Sequence, residues 1–137
     1  MFKFDPQQRY MMPAHFGPRV GKGSARYLDT TTIMVSYLTD RDMLARYLPE
    51  PLEVGPEPIV SVSHSVNRQI EWLAGGSYNI VGVNAAAIFN GKEDHIKGSF
   101  CLVMWENLTD PILTGREGQG IPKIYADIPD HTIFRGQ

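Results

Sequence analysis

Residues 59–66, IVSVSHSV, change character at every step. Val60, Val62 and Val66 fall on one side with His64 among them, and Ser61, Ser63 and Ser65 fall on the other. Only an extended backbone separates successive side chains in this way, because its side-chain period is two. This is the cleanest period-two stretch in the chain. It is a strand with one polar, small-residue face, and it makes the chain a sheet former.

The neighbouring segments extend that reading. TTTIMVSYL (30–38) is rich in β-branched and aromatic residues, and SYNIVGVNAAAIFNG (77–91) and SFCLVMWENL (99–108) make two further strands. The last is apolar on both faces, which predicts a central position. TDRDMLARYLP predicts a short helix. Thr39 or Asp40 caps it, Met43, Leu44, Tyr47 and Leu48 share one face, and Pro49 ends it. Residues 1–27, with Pro6, Pro13, Pro18, Gly17, Gly21 and Gly23, read as an arm or loop, and PEPLEVGPEP (49–58) as turns. From 106 to 122 the chain turns glycine-rich and polar and reads as a loop, after which KIYADI and HTIF resume β character. At least five strands and one short helix predict a mostly β, α+β domain over 1–137, with closure into a barrel as the expected architecture.

Composition excludes several functions. The net charge of -2, from 13 basic and 15 acidic residues, gives no electrostatic reason to expect nucleic acid or an anionic membrane as partner. One cysteine, Cys101, rules out an intrachain disulfide and a cysteine-rich metal site; within Phe100–Trp105 it reads as a buried small hydrophobe. No stretch approaches the roughly 20 apolar residues of a membrane span. A reducing cytoplasm is the expected compartment. The 4 histidines, His15, His64, His95 and His131, lack metal-ligand spacing, and His64 on the valine face reads as a hydrogen-bonded core residue. GREGQG lacks the lysine and Ser/Thr of a phosphate loop, and no G-x-S-x-G elbow occurs.

One block is not ordinary scaffold. TGREGQGIPKIYADI (114–128) sets an arginine, a glutamate and a glutamine among glycines, then presents Lys123 between Pro122 and Ile124. DPILTGREGQGIPK resembles the active-site segment of the acetoacetate decarboxylase family, a Gly-Arg-Glu followed by a short loop and Pro-Lys. Upstream, YLTDRDMLARYLPEPLEV resembles that family's strand, helix and Pro-Glu-Pro-Leu turn, so the resemblance covers roughly residues 28 to 128.

The resemblance implies an antiparallel β-barrel and a lyase in which Lys123 forms a Schiff base with a small keto acid, with no metal or organic cofactor. A lysine amine attacks a ketone only when neutral, and its reference pKa of about 10.4 leaves on the order of one part in a few thousand neutral at pH 7. Desolvation disfavours the ammonium, so the site has to be dry, and Ile121, Pro122, Ile124 and Tyr125 offer apolar surroundings. Arg116 is a candidate for the substrate carboxylate, with an ion pair to Glu117 or another acid as its alternative. Gln119 is a candidate for orienting substrate or water, with a loop-stabilising hydrogen bond equally open; Tyr78 and Ser63 are further polar candidates for the pocket.

Two departures shape these expectations. Ile124 stands where the decarboxylases carry a second lysine, on the opposite face of a strand from Lys123. IVSVSHSV and SYNIVGV hold no carboxylate where decarboxylases place acidic pocket residues. The expected reaction is decarboxylation of a β-keto acid such as acetoacetate. The alternatives are aldol condensation and dehydration of an α-keto acid such as pyruvate, or a non-catalytic ligand binder. Family members run roughly as long again beyond the lysine, whereas this sequence stops at HTIFRGQ, so a fragment is expected, working as a homo-oligomer or with a complementing C-terminal chain.

Overall fold

A computed structural model describes residues 2–19, 24–132 and 134. Six strands form one sheet: β1 (Tyr27–Leu38), β2 (Leu52–Val54), β3 (Ile59–Ile70), β4 (Gly76–Asn90), β5 (His95–Glu106) and β6 (Lys123–Tyr125). The order is β1-β3-β4-β5-β6, with β2 paired to one end of β4. Every pairing is antiparallel except β5 with β6. The sheet runs open from β1 to β6 and is not closed into a barrel among the described residues.

The serine–valine alternation of β3 divides the sheet into two faces. On the polar face Ser61 and Ser65 meet Ser36 and Thr32 of β1, hydroxyl to hydroxyl at 2.8 Å. On the other face Val60 packs with Ala85 of β4 under Leu44 of helix α1 (Arg41–Ala45). Asp40 caps α1, its carboxylate accepting from the Met43 amide at 2.8 Å. His64 lies among the valines but makes no core hydrogen bond; its Nε2 is buried without a partner, and the ring meets His131 edge-on at 5.3 Å.

The principal departure from the sequence-based expectation lies at 106–122, where helix α2 (Thr109–Gln119) replaces the loop. Its physical reason is the parallel pairing of β6 with β5. Two parallel neighbours need a crossover rather than a hairpin, and a helix is its usual form. Signals for α2 were present. Pro111 sits in the first turn, where its missing N–H costs little, and Arg116 sits in the last, where a cation suits the helix dipole. Gly120 ends the helix at φ +70°, a left-handed conformation natural to glycine, and donates to the Arg116 carbonyl. Gly115 and Gly118, each costing a helix about 0.5–1 kcal/mol relative to alanine, masked those signals. The β character expected after Lys123 stops at Tyr125. His131, Thr132 and Phe134 are not strand, and Ile133 lies outside the described residues.

Candidate active site

Lys123 begins β6 directly opposite Met104 of β5, and Glu106, two residues further along β5, falls on the same face. Both charged groups are buried: Lys123 is 7% exposed and Glu106 0%. Nζ of Lys123 lies 2.8 Å from Oε1 of Glu106 and donates to the Pro111 carbonyl at 3.1 Å. The contact with Oε1 is at ion-pair distance but off the axis of a well-aligned hydrogen bond, and Oε2 has no partner among the described residues. Burial pushes the Glu106 carboxyl above its ordinary range, and the Lys123 ammonium opposes that shift.

Helix α2 seats the lysine. A Cβ at Gly115 would lie 2.4 Å from Cε, 2.5 Å from Cδ and 2.7 Å from Nζ of Lys123, so the side chain runs across bare helix backbone. One residue on, Arg116 Nη1 donates to the Lys123 carbonyl at 2.8 Å. The Gly-Arg pair of the motif therefore holds both ends of one residue: glycine clears the side chain and arginine grips the backbone.

An open cavity of about 670 Å³ lies over Lys123. Gln119, Thr114 and Pro111 line it from α2, Tyr27 and Tyr78 from the sheet, and Arg19 from the N-terminal arm. The Tyr78 and Tyr27 hydroxyls meet at 3.0 Å, and Trp72 Nε1 donates to Tyr27 at 3.3 Å. Burial, and then the bond to Tyr27, drive the Tyr78 phenol far above its ordinary range, so it stays protonated. Among the described residues no three His, Cys, Asp or Glu side chains gather as a metal-ligand set. No helix among them is long and apolar enough to cross a membrane.

The structure brings Lys123, Gln119 and Tyr78 to one cavity and leaves the other candidates elsewhere. Arg116 Nη1 is held by the Lys123 carbonyl, the residue does not line the cavity, and among the described residues it makes no ion pair with Glu117 or another acid. Glu117 instead accepts from the Met12 amide at 2.8 Å and anchors the arm. Ser63 lies on the polar face of β3 beside Gly82, outside the cavity. The chain neighbours of Lys123 do not bury it: Ile124 and Tyr125 are 45% and 62% exposed, and Tyr125 turns away to Asp127 at 3.0 Å. The dry surroundings come from α2 and β5. β3 and β4 bring no carboxylate to Lys123, but Glu106 does, from the end of β5. Its sequence signal was a single acid closing the apolar run CLVMW, in phase with Met104.

A buried lysine–carboxylate pair thus sits on a glycine-bearing crossover helix under an open cavity. The acetoacetate decarboxylase model matches residues 11–136, and the chain belongs to that family. It is 33% identical over 106 residues to an acetoacetate decarboxylase of Ralstonia nicotianae, which covers 77% of this chain and 40% of that protein. Acetoacetate decarboxylase 1 of Bradyrhizobium diazoefficiens is 33% identical over 114 residues, 83% of this chain and 42% of the relative. The chain thus spans about two fifths of the length of these relatives. A solved acetoacetate decarboxylase superposes with a TM-score of 0.68 at 27% identity, covering 85% of this chain and 45% of that one. The enduracididine biosynthesis enzyme MppR superposes at 0.61 with 19% identity, over 77% of this chain and 43% of its own, a likeness of fold.

Proposed function

We propose that this chain carries the reactive lysine of a lyase that decarboxylates a small β-keto acid, such as acetoacetate, through an imine at Lys123. The observation that supports this reading is the buried Lys123–Glu106 pair beneath the cavity. An amine adds to a ketone only when neutral. In this reading Glu106, whose Oε1 lies 2.8 Å from Nζ, takes the ammonium proton as the reaction begins. The amine adds to the ketone carbon as the carbonyl π pair moves to oxygen. A proton passes from nitrogen to that oxygen, Glu106 supplies a second, and water leaves to give the iminium. The bond to the carboxylate then breaks, its electron pair moving to the iminium nitrogen, and CO₂ departs from an enamine. Protonation at carbon and hydrolysis release the ketone and the free amine.

Aldol condensation and dehydration of an α-keto acid such as pyruvate is a second reading and uses the same imine. It is favoured by the absence of any carboxylate on β3 and β4. The test is borohydride trapping with acetoacetate, read by peptide mass. The expected adduct at Lys123 has the mass of a reduced acetone imine, CO₂ having left. An adduct that keeps the carboxylate supports the second reading. Labelling that survives Lys123→Ala refutes both, and absence of any adduct points to a non-catalytic binder.

A further inference from the structure

Helix α2 clears its surface twice. Gly115 makes room for Lys123, and Gly118, one turn on, makes room for Arg19, whose Nη1 lies 2.7 Å from where a Cβ would stand. The arm that carries Arg19 is tied down independently: Glu117 holds the Met12 amide, and the Arg19 amide donates to the Arg9 carbonyl at 2.7 Å. Yet the Arg19 guanidinium has no hydrogen-bond or ion-pair partner among the described residues, and it lines the same cavity as Lys123. Side chains three apart on a helix have Cβ positions about 5–6 Å apart, which limits the Nζ–Nη1 separation to about 11 Å. A keto acid joined to an amine at its carbonyl and gripped at its carboxylate spans on the order of 7 Å. The acids of the lining, Glu71 and Asp110, are exposed.

The remaining wall is aromatic. Tyr27 and Trp72 meet Tyr78 edge-to-face at centroid distances of 6.3 and 6.5 Å, and Trp72 and Tyr27 keep 39% and 40% of their surface open. Such a wall offers a flat ring both face and edge contacts. The cavity is within the range of sites that take ligands far larger than a four-carbon acid.

We infer that Arg19 and the Trp72–Tyr27–Tyr78 wall form a second subsite that grips the substrate carboxylate and a planar ring, so the preferred substrate is an aryl-substituted keto acid. This assignment rests on the imine reading for Lys123. Arg19 supplies a two-pronged, charge-assisted grip on the bound acid. Because the carboxylate loses its charge as CO₂ leaves, that grip acts on the ground state and appears in half-saturation rather than in the chemical step.

The test measures borohydride trapping on the full chain against concentration of benzoylacetate and of acetoacetate. Benzoylacetate is expected to half-saturate at least about tenfold lower. Arg19→Gln is expected to raise half-saturation by about 10- to 100-fold for both acids, with Arg19→Lys between. Trp72→Ala is expected to abolish the difference between the acids. A second measurement needs no imine: quenching of Trp72 fluorescence by 3-phenylpropanoate in Lys123→Ala, with Trp72→Phe as the blank. Arg19-dependent quenching without trapping by any keto acid would overturn the imine and leave the subsite standing. Equal trapping of both acids, unmoved by Arg19→Gln and Trp72→Ala, would overturn the subsite and leave the imine standing.

Discussion

Gly115→Ala tests the seat of the lysine directly. By helix propensity alone the substitution stabilises α2 by about 0.8–1 kcal/mol. The new Cβ would instead stand 2.4–2.7 Å from Cε, Cδ and Nζ of Lys123, closer than real carbon atoms approach. The lysine end is flexible and swings away, giving up the Pro111 carbonyl and the Glu106 carboxylate. Stranding one member of a buried pair costs about 3–5 kcal/mol, so the net expectation is a loss of about 2–4 kcal/mol. The loss should grow from acid to neutral pH, because at low pH Glu106 escapes it by taking up a proton. Urea melts at several pH values, together with the rate of borohydride trapping, check this, and both stability and trapping should fall. A variant stabilised by about 1 kcal/mol with trapping unchanged would refute the seat.

Three further outcomes follow from the same geometry. Burial raises the Glu106 carboxyl, so the folded chain holds a proton that the unfolded chain releases near pH 4.3. The stability contributed is full below that pH and is lost as pH rises toward the folded value; Glu106→Gln should flatten this limb of the pH–stability curve, and an unchanged curve would refute the assignment. Arg116→Ala should cost about 1 kcal/mol through the lost bond to the Lys123 carbonyl and slow trapping, with half-saturation by keto acid nearly unmoved; a tenfold rise there would return Arg116 to the substrate. All 12 residues of β1 are exposed and its outer edge is unpaired among the described residues, so the chain should associate in solution. A monodisperse monomer of 15.4 kDa by light scattering would count against it.

Local rules were legible where the cause was local. The alternation in β3 and the Asp40 cap follow from side-chain period and backbone hydrogen bonding and stand where the sequence places them, whereas α1 ends at Ala45, short of Tyr47 and Leu48, and buries Leu44 alone of its expected face while Met43 is exposed. The failures share a different cause. Gly115 and Gly118 read as loop residues because propensity counts what glycine costs a helix and cannot see what the missing Cβ admits from 8 residues downstream or from the N-terminal arm. Arg116 read as a substrate ligand because its fork suits a carboxylate, but a backbone carbonyl of the next strand reached it first. Glu106 was passed over because an acid closing an apolar strand looks like a solvent-facing end. It becomes buried only once α2 returns the chain to lay β6 alongside, a tertiary event that the local phase with Met104 does not by itself announce. The lysine was legible by motif and its chemical partner was not, because the motif is contiguous in sequence while the pair is formed across two parallel strands. The chemistry proposed for Lys123 therefore depends on a contact that exists only in the folded sheet, and whatever loosens β6 from β5 should silence the amine before it unfolds the chain.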